Sequence, residues 1–236
     1  MIGIISDIHG NLPALQAVLK ELDREKVSQI LCLGDICGYY CFVNEVIDEI
    51  RSRGIFCLKG NHDAYILGEC RCPRSTTVNR CISYQQAIIR EDNLAWVRTL
   101  KSSVRTGNIW AVHGGWNDPL DEYVDKFDFN SPVILSSGCK VFLSGHSHIQ
   151  NVQTDQNIIY CNPGSVGQPR DNDPKTAYAL LKDDGQIELR RVDYDIDLTA
   201  RAMEKAGFER YVYANLYKGT RITRSIPQNH FISTIE

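Results

Sequence analysis

The chain has 236 residues, a length that suits one medium-sized domain with its own hydrophobic core. Hydrophobic residues make up 43% and charged residues 23% of the chain, which excludes a disordered or fibrous protein. The formal net charge is −3, so no overall positive field favours general nucleic-acid binding or a polybasic membrane anchor. We therefore expect a single domain over residues 1–236.

The sequence favours a cytoplasmic protein with free thiols. No apolar stretch reaches the roughly 18 residues of a membrane span, and the first residues show no signal-peptide pattern. The nine cysteines form no Cys-x-x-Cys pair. Cys32, Cys57 and Cys161 lie within apolar runs, where a thiol behaves as a small buried hydrophobic group, and only Cys70 and Cys72 lie close together in a loop.

Strands and helices alternate at the start of the chain. The β-branched runs predict strands over residues 2–6, 30–33 and 55–59, and apolar residues at helical spacing predict helices over 12–26 and 44–53. Strand and helix in this alternation are typical of βαβ units with a parallel sheet.

After residue 64 the predicted strands and helices no longer alternate. Two helices are expected over residues 78–90 and 92–100, followed by strands over 109–113, 141–144 and 157–161. Segments 176–182 and 186–192 flank Asp183-Asp184-Gly185 and predict an antiparallel hairpin. Residues 207–236 are expected to form a short helix and an irregular C-terminal extension.

Five of the six histidines lie in short polar segments that directly follow predicted strands. These segments are Ser6–Asn11, Leu33–Asp35, Lys59–Asp63, Val112–Gly115 and Ser144–His148. Because ligands bind at the carboxyl ends of strands in an open parallel sheet, the five segments should meet at one edge of the molecule.

The segments supply seven candidate metal ligands with mixed oxygen and nitrogen donors. These are Asp7, His9, Asp35, Asn61, His113, His146 and His148. Two pairs are spaced two residues apart, and in extended backbone such residues point to the same side. Seven donors are too many for one tetrahedral ion and suit two divalent transition-metal ions that share a carboxylate. A turn or helix cap would explain each segment alone, but not all five together.

The set of motifs resembles that of the calcineurin-like metallophosphoesterases. The shared blocks are Asp-x-His, Gly-Asp, Gly-Asn-His-Asp, His-Gly and Gly-His-x-His, which span residues 7–148 in the family's order. Residues 162–170, Asn-Pro-Gly-Ser-Val-Gly-Gln-Pro-Arg, are similar to a segment of small bacterial and archaeal members. The resemblance implies an α/β fold, a four-layer αββα sandwich of two mixed β-sheets flanked by helices, with a dinuclear site at the carboxyl ends of the strands.

The resemblance also implies a role for each residue. Asp7, His9 and His148 would hold one metal, Asn61, His113 and His146 the second, and Asp35 would bridge them. Manganese, iron, zinc, nickel or cobalt would each suit these ligands. The two ions would clamp a phosphate and activate a bridging hydroxide, while His62, oriented by Asp63, would assist the leaving group as the catalytic acid–base residue.

The sequence favours a phosphodiester substrate. The protein phosphatases and dinucleoside tetraphosphatases of this superfamily carry Gly-Asp-x-x-Asp-Arg-Gly, whereas residues 34–40 here read Gly-Asp-Ile-Cys-Gly-Tyr-Tyr. The arginine of that motif would bind a dianionic phosphate monoester, so its absence from residues 34–40 favours a diester. The alternatives are a phosphomonoesterase acting on a nucleotide or a Ser/Thr phosphoprotein, and a non-catalytic scaffold such as the retromer subunit that resembles this family.

Three residues are candidate substrate contacts: Asn11, Tyr39 and Arg170. Segment 116–129 is acidic and aromatic, and it is expected either to form a rim of the site or to cover a sheet. The expected partner is a phosphate-ester substrate, with a nucleotide as one candidate. A homodimer is compatible with the sequence. The few cations after residue 207 do not indicate a nucleic-acid groove, and His230 lies outside every motif.

Overall fold

Two five-stranded β-sheets stack on each other in the computed structural model, which describes residues 1–223. Within these residues the strands are β1 (Ile2–Ile5), β2 (Gln29–Cys32), β3 (Phe56–Cys57), β4 (Ser103–Thr106), β5 (Ile109–Val112), β6 (Val141–Leu143), β7 (Gln150–Asp155), β8 (Ile158–Pro163), β9 (Thr176–Leu181) and β10 (Ile187–Val192). The strand orders are β10-β9-β1-β2-β3 and β4-β5-β6-β8-β7.

Each sheet has three strands that pair in parallel, flanked by antiparallel pairs. In the first sheet β1, β2 and β3 are parallel, with Ile4 opposite Leu31, and β9 and β10 form the predicted hairpin. In the second sheet β5, β6 and β8 are parallel. Strands β4 and β7, at the two edges of this sheet, were not predicted, because they are polar and largely exposed and show no apolar alternation.

The helices within the described residues are α1 (Leu12–Arg24), α2 (Val43–Ser52), α3 (Asn61–Ile66), α4 (Thr76–Ile88), α5 (Glu91–Arg98), α6 (Pro132–Ser136) and α7 (Ile196–Lys205). The four longer helices before residue 100 agree with the predicted ones, with shifts of a few residues at their ends. The short helices α3 and α6 and the later helix α7 were not predicted. No helix among residues 1–223 is long and apolar enough to cross a membrane, and all nine cysteines are free thiols.

Hydrophobic packing produces the predicted four-layer sandwich. Side chains such as Ile4, Leu33 and Leu143 fill the space between the sheets. Helices α1 and α2 pack on the outer face of the first sheet through their apolar sides. The outer face of the second sheet is covered by residues 116–139, largely irregular apart from α6, whose aromatic side chains surround Phe142. Segment 116–129 therefore covers a sheet.

The C-terminal segment packs beside the loop that follows β2. Met203 of α7 and Val212 of the next 3₁₀ turn are fully buried, in a cluster that includes Tyr39 and Tyr40. A second 3₁₀ turn spans Ala214–Tyr217. The remainder of the predicted extension, residues 224–236, including His230, lies outside the described residues.

Candidate metal centre

The seven predicted ligands lie together where the parallel strands of both sheets end. Asp7 and His9 follow β1, and Asp35 follows β2. His113 follows β5, and the pair His146 and His148 follows β6. Asn61, the seventh, is the first residue of α3. The exposed fraction of each of these side chains is 4% or less, so the structure buries all seven.

Their donor atoms form two groups that share one carboxylate. Asp7, His9, Asp35 and His148 can each place a ligand atom within 4.8 Å of those of the other three. Asp35, His113 and His146 meet the same condition. Asn61 joins the second group, because its Oδ1 lies 3.1 Å from Nε2 of His113. Asp35 is the residue that the two groups have in common.

Unpaired buried atoms show that these residues fit metal cations. Oδ1 of Asp7 and Nε2 of His146 are buried and have no hydrogen-bond partner among the described residues. Nε2 of His9 and Nε2 of His148 face each other at 3.1 Å. Buried polar atoms nearly always have partners, so lone pairs that converge in this way are best matched by divalent ions.

Backbone carbonyls orient three of the imidazoles. Nδ1 of His9, His113 and His148 lies 2.9, 3.0 and 2.6 Å from the carbonyl oxygens of Cys37, Leu33 and Gln168, respectively. An N–H donated to each carbonyl leaves Nε2 to face the centre, which is the usual arrangement of a metal-ligating histidine.

The field of Asp35 favours positive charge in the centre. Burial opposes a charged imidazole at His113, but the carboxylate of Asp35, together with those of Asp7 and Asp63, outweighs it and raises the pKa of His113 to about 10. Burial likewise opposes ionisation of Asp35, yet the positive charge of His113 and the hydrogen bond with its ring hold the pKa of Asp35 well below the ordinary value. The site therefore keeps its carboxylates ionised despite their burial, as a cation-binding site requires.

Five of the seven ligand residues lie in strained turns rather than in extended backbone. Asp7, His9, Asp35, His146 and His148 have φ between 54° and 65°, in the left-handed region that side chains other than glycine rarely adopt. The expectation that each pair shares a side because the backbone is extended was therefore wrong. The pairs converge because each polar segment turns sharply after its strand, and such strain is typical of functional sites.

Two glycines permit the close approach of the ligand loops. A Cβ at Gly60 would lie 2.1 Å from Oδ1 of Asp35, and one at Gly38 would lie 2.2 Å from Nδ1 of His9. Any side chain at either position would displace a proposed ligand.

Asp63 has a different role from the predicted one. Its carboxylate accepts four backbone N–H groups, at 2.9 to 3.1 Å, and no hydrogen bond joins it to the His62 imidazole within the described residues. The donors are Asp35, Ile36, Cys37 and Gly60. Burial and the charge of Asp35 raise the pKa of Asp63 to about 6. Asp63 thus holds the turn that carries Asp35, and it does not orient His62.

His62 lies beside the ligands with a free ring nitrogen. Its backbone N–H donates to Oδ1 of Asp35 at 2.8 Å. Its ring centroid is 4.6 Å from that of His9 and 4.9 Å from that of Tyr39, and its buried Nδ1 has no hydrogen-bond partner within residues 1–223. Burial lowers the pKa of His62 to about 4, so the neutral imidazole is favoured.

A cavity of about 690 Å³ lies over the centre. Asp35, Asn61, His62, His146 and His148 line one side of it. The predicted substrate contacts Tyr39 and Arg170 also line it. The Arg170 guanidinium donates to the Tyr39 hydroxyl at 2.9 Å and to Oε1 of Gln168 at 2.8 Å, which fixes its position in the cavity wall.

The structure does not support Asn11 as a substrate contact. Its side chain is fully buried and does not line the cavity. Oδ1 caps α1 by accepting the Ala14 N–H and also accepts the Thr199 hydroxyl, while Nδ2 donates to the Gly167 carbonyl. Asn11 therefore joins α1 to the loop after β8 and to α7.

Sequence reasoning missed Arg74 and Arg221, which line the cavity together with Tyr123. Neither arginine follows a predicted strand, so no local signal marked them. Tyr123 belongs to segment 116–129, and its ring centroid lies 4.1 Å from that of His146. Through this residue the segment also forms part of the rim.

A sandwich of two mixed sheets with a buried histidine–aspartate cluster at the strand ends is the architecture of a metallophosphoesterase. Residues 1–185 match the family model described as the calcineurin-like phosphoesterase superfamily domain. The chain belongs to this superfamily.

Three relatives illustrate the similarity. An uncharacterized protein of Methanocaldococcus jannaschii is 30% identical, with 93% of this chain and 98% of that protein aligned. The phosphodiesterase YfcE of Escherichia coli is 24% identical over 76% of this chain and 85% of its own length. The crystal structure of a metallophosphoesterase from Sphaerobacter thermophilus has a TM-score of 0.80 and 29% identity, covering 93% of this chain and 98% of that one.

The shared position of Asp35 predicts the metal stoichiometry of ligand variants. We expect chelator-stripped wild-type protein to take up two Mn²⁺ or Zn²⁺ ions per chain. His148→Ala should retain about one ion, because His148 belongs to one group only, whereas Asp35→Ala should weaken both sites. Metal analysis after gel filtration measures this, with His230→Ala as a histidine control outside every motif. Two tightly bound ions in Asp35→Ala would contradict the shared role.

Asp63→Asn should destabilise the protein by about 2–4 kcal/mol, because an amide NH₂ would face two of the four backbone N–H donors and leave them buried without an acceptor. Urea unfolding monitored by circular dichroism measures the change. Asp155→Asn, at an exposed position of β7, is the matched control and should change the free energy of unfolding by less than about 0.5 kcal/mol. Equal stability of the two variants would refute the role of Asp63 in holding the turn.

Proposed function

We propose that the protein is a metal-dependent phosphodiesterase whose reaction takes place over the two ligand groups that share Asp35. This arrangement of the seven buried donors, divided around a single carboxylate, is the observation that carries the proposal. Membership of the phosphoesterase superfamily supports hydrolysis of a phosphate ester. The choice of a diester is supported by the similarity to phosphodiesterase YfcE.

The ligand side chains would hold two divalent ions. Asp7, His9 and His148 would hold one, Asn61, His113 and His146 the other, and Asp35 would contact both. Bound in this way, the ions would neutralise the charge of the phosphoryl group and would activate water for attack on phosphorus. Burial of the ligands keeps bulk water away from the centre, which strengthens every electrostatic contact there.

His62 is proposed to assist the departing oxygen. It lines the cavity beside Asp35, and its Nδ1 has no hydrogen-bond partner within the described residues. The favoured neutral imidazole retains one N–H, which can donate to the leaving oxygen as negative charge develops there. Asp63 contributes only through the turn that carries Asp35.

Arg170 is proposed to contact a non-bridging oxygen of the phosphate. Its guanidinium is held in the cavity wall by Tyr39 and Gln168. Because this arginine comes from the loop after β8, the pocket has a guanidinium even though the segment after Asp35 has none. The missing arginine therefore no longer argues against a monoester, and Arg170 favours phosphomonoesterase activity as the second candidate function.

Hydrolysis of two aryl phosphates distinguishes these functions. We expect chelator-stripped protein to be inactive and to hydrolyse bis(4-nitrophenyl) phosphate once Mn²⁺, Zn²⁺, Ni²⁺, Co²⁺ or Fe²⁺ is restored. The kcat/KM for this diester should exceed that for 4-nitrophenyl phosphate. A reversed preference would establish the monoesterase instead. Absence of turnover with both substrates, despite two bound ions, would contradict catalysis and favour a scaffold.

His62→Ala should lower kcat for the diester by about 10²- to 10⁴-fold while both ions remain bound, because the residue donates to the leaving group and is not a proposed ligand. Steady-state kinetics and metal analysis of the same preparation separate these two effects. His230→Ala serves as the matched control, with wild-type turnover expected. Wild-type kcat in His62→Ala would remove the proposed role.

A further inference from the structure

The cavity extends well beyond the metal centre. Its volume of about 690 Å³ lies in the 300–1,000 Å³ range of pockets that enclose a complete small-molecule ligand, and a phosphoryl group alone would leave most of it empty. Residues 72–79, Tyr123, Tyr211 and Arg221 form the rest of its wall. Part of the substrate other than the scissile phosphate must therefore contact this wall.

Three arginines line the cavity, and they lie over two different tyrosines. Arg170 donates to the hydroxyl of Tyr39, whose ring centroid lies 4.8 Å from that of His9 and 4.9 Å from that of His62. The guanidinium carbons of Arg74 and Arg221 instead lie over Tyr123, 5.6 and 5.8 Å from its ring centroid. Arg170 thus lies beside His9 and His62, while the other two arginines lie at a different part of the wall, over the tyrosine that contacts His146. With Arg170 assigned to the scissile phosphate, Arg74 and Arg221 are left for a different group of the substrate.

Arg74 and Arg221 differ in whether a carboxylate neutralises the charge of the guanidinium. Arg74 forms an ion pair with Asp121 through both terminal nitrogens, one of them at 2.8 Å from Oδ2. Arg221 is exposed, and within residues 1–223 it forms no ion pair with a carboxylate. Its positive charge in the cavity wall is therefore available to an anion.

The backbone that carries Arg221 is anchored to the rest of the domain. The carbonyl oxygen of Gly219 accepts the N–H of Asn172, and that of Thr220 accepts from the Asn215 side chain at 3.1 Å. Gly219 has a φ of +61°, and a Cβ there would lie 2.2 Å from the Asp173 carbonyl oxygen. These contacts tie the turn before Arg221 to the loop that also carries Arg170.

We propose that Arg221, with Arg74 beside it, binds a second phosphate group of the substrate, separate from the one that is hydrolysed. The substrate class is then a phosphodiester that carries an additional phosphate, as in a nucleotide phosphorylated at both ends of its sugar. This inference rests on the proposed phosphodiesterase function, which assigns the metal centre and Arg170 to the scissile group. It also gives a function to residues after 185, where the superfamily match ends.

A matched pair of diesters tests the subsite. Thymidine 5′-(4-nitrophenyl phosphate) and its 3′-phosphorylated form differ only in the second phosphate. The wild-type kcat/KM should be about tenfold higher for the 3′-phosphorylated form, which corresponds to one charge-assisted contact. Arg221→Gln should bring the ratio close to one, and Arg221→Lys should restore part of it. Lys218→Gln, at an exposed cation of the same segment, should keep the wild-type ratio.

Calorimetry with ligands that contain no phosphodiester separates this inference from the catalytic proposal. Metal-loaded wild-type protein should bind thymidine 3′,5′-bisphosphate about tenfold more tightly than thymidine 5′-monophosphate, and Arg221→Gln should lose this difference. If neither diester is hydrolysed, the proposed function fails, yet the binding difference still tests Arg221. If both diesters are hydrolysed with the same ratio in wild type and Arg221→Gln, the subsite is refuted while hydrolysis stands.

Discussion

The carboxylate of Asp35 is the group on which the rest of the site depends. It is almost completely buried, it belongs to both ligand groups, and its charge raises the pKa of His113 against the effect of burial. A buried charge is tolerated only when it is paired and hydrogen-bonded. The surrounding structure meets this requirement with imidazoles on both sides, with the backbone N–H of His62, and with Asp63, which holds the turn in place.

The two sheets supply different residues of the metal centre. Loops of the first sheet supply Asp7, His9 and Asp35, and loops of the second supply His113, His146 and His148. The site is therefore complete only when the sheets are stacked, so the apolar layer between them determines the spacing of the polar groups. The left-handed turns are unfavourable locally. They persist because hydrogen bonds between loops stabilise them, such as the Asp7 N–H to the Gly34 carbonyl oxygen at 3.0 Å and the His9 N–H to the Asp35 carbonyl oxygen at 2.9 Å.

Part of the proposed substrate contact comes from residues beyond the superfamily match. The proposed ligands and His62 lie within residues 7–148, inside the region that matches the superfamily. The outer wall of the cavity includes Tyr211 and Arg221, which follow α7 and lie beyond that region. A C-terminal segment that lines the cavity can change the preferred substrate while the reacting groups stay the same, because the two functions use separate contacts with the substrate.

The sequence by itself determined the superfamily, the seven candidate ligands and eight of the ten strands described here, because buried strands and the polar motifs that follow them are local patterns. Only the tertiary structure showed that Asn11 contacts Gly167 and Thr199, that Asp63 accepts N–H groups from the turn after β2, and that Arg221 reaches the cavity. Each of these roles depends on contacts between residues far apart in the chain. Hydrophobic periodicity reports which face of an element is buried, but it does not report which distant loop will lie against it.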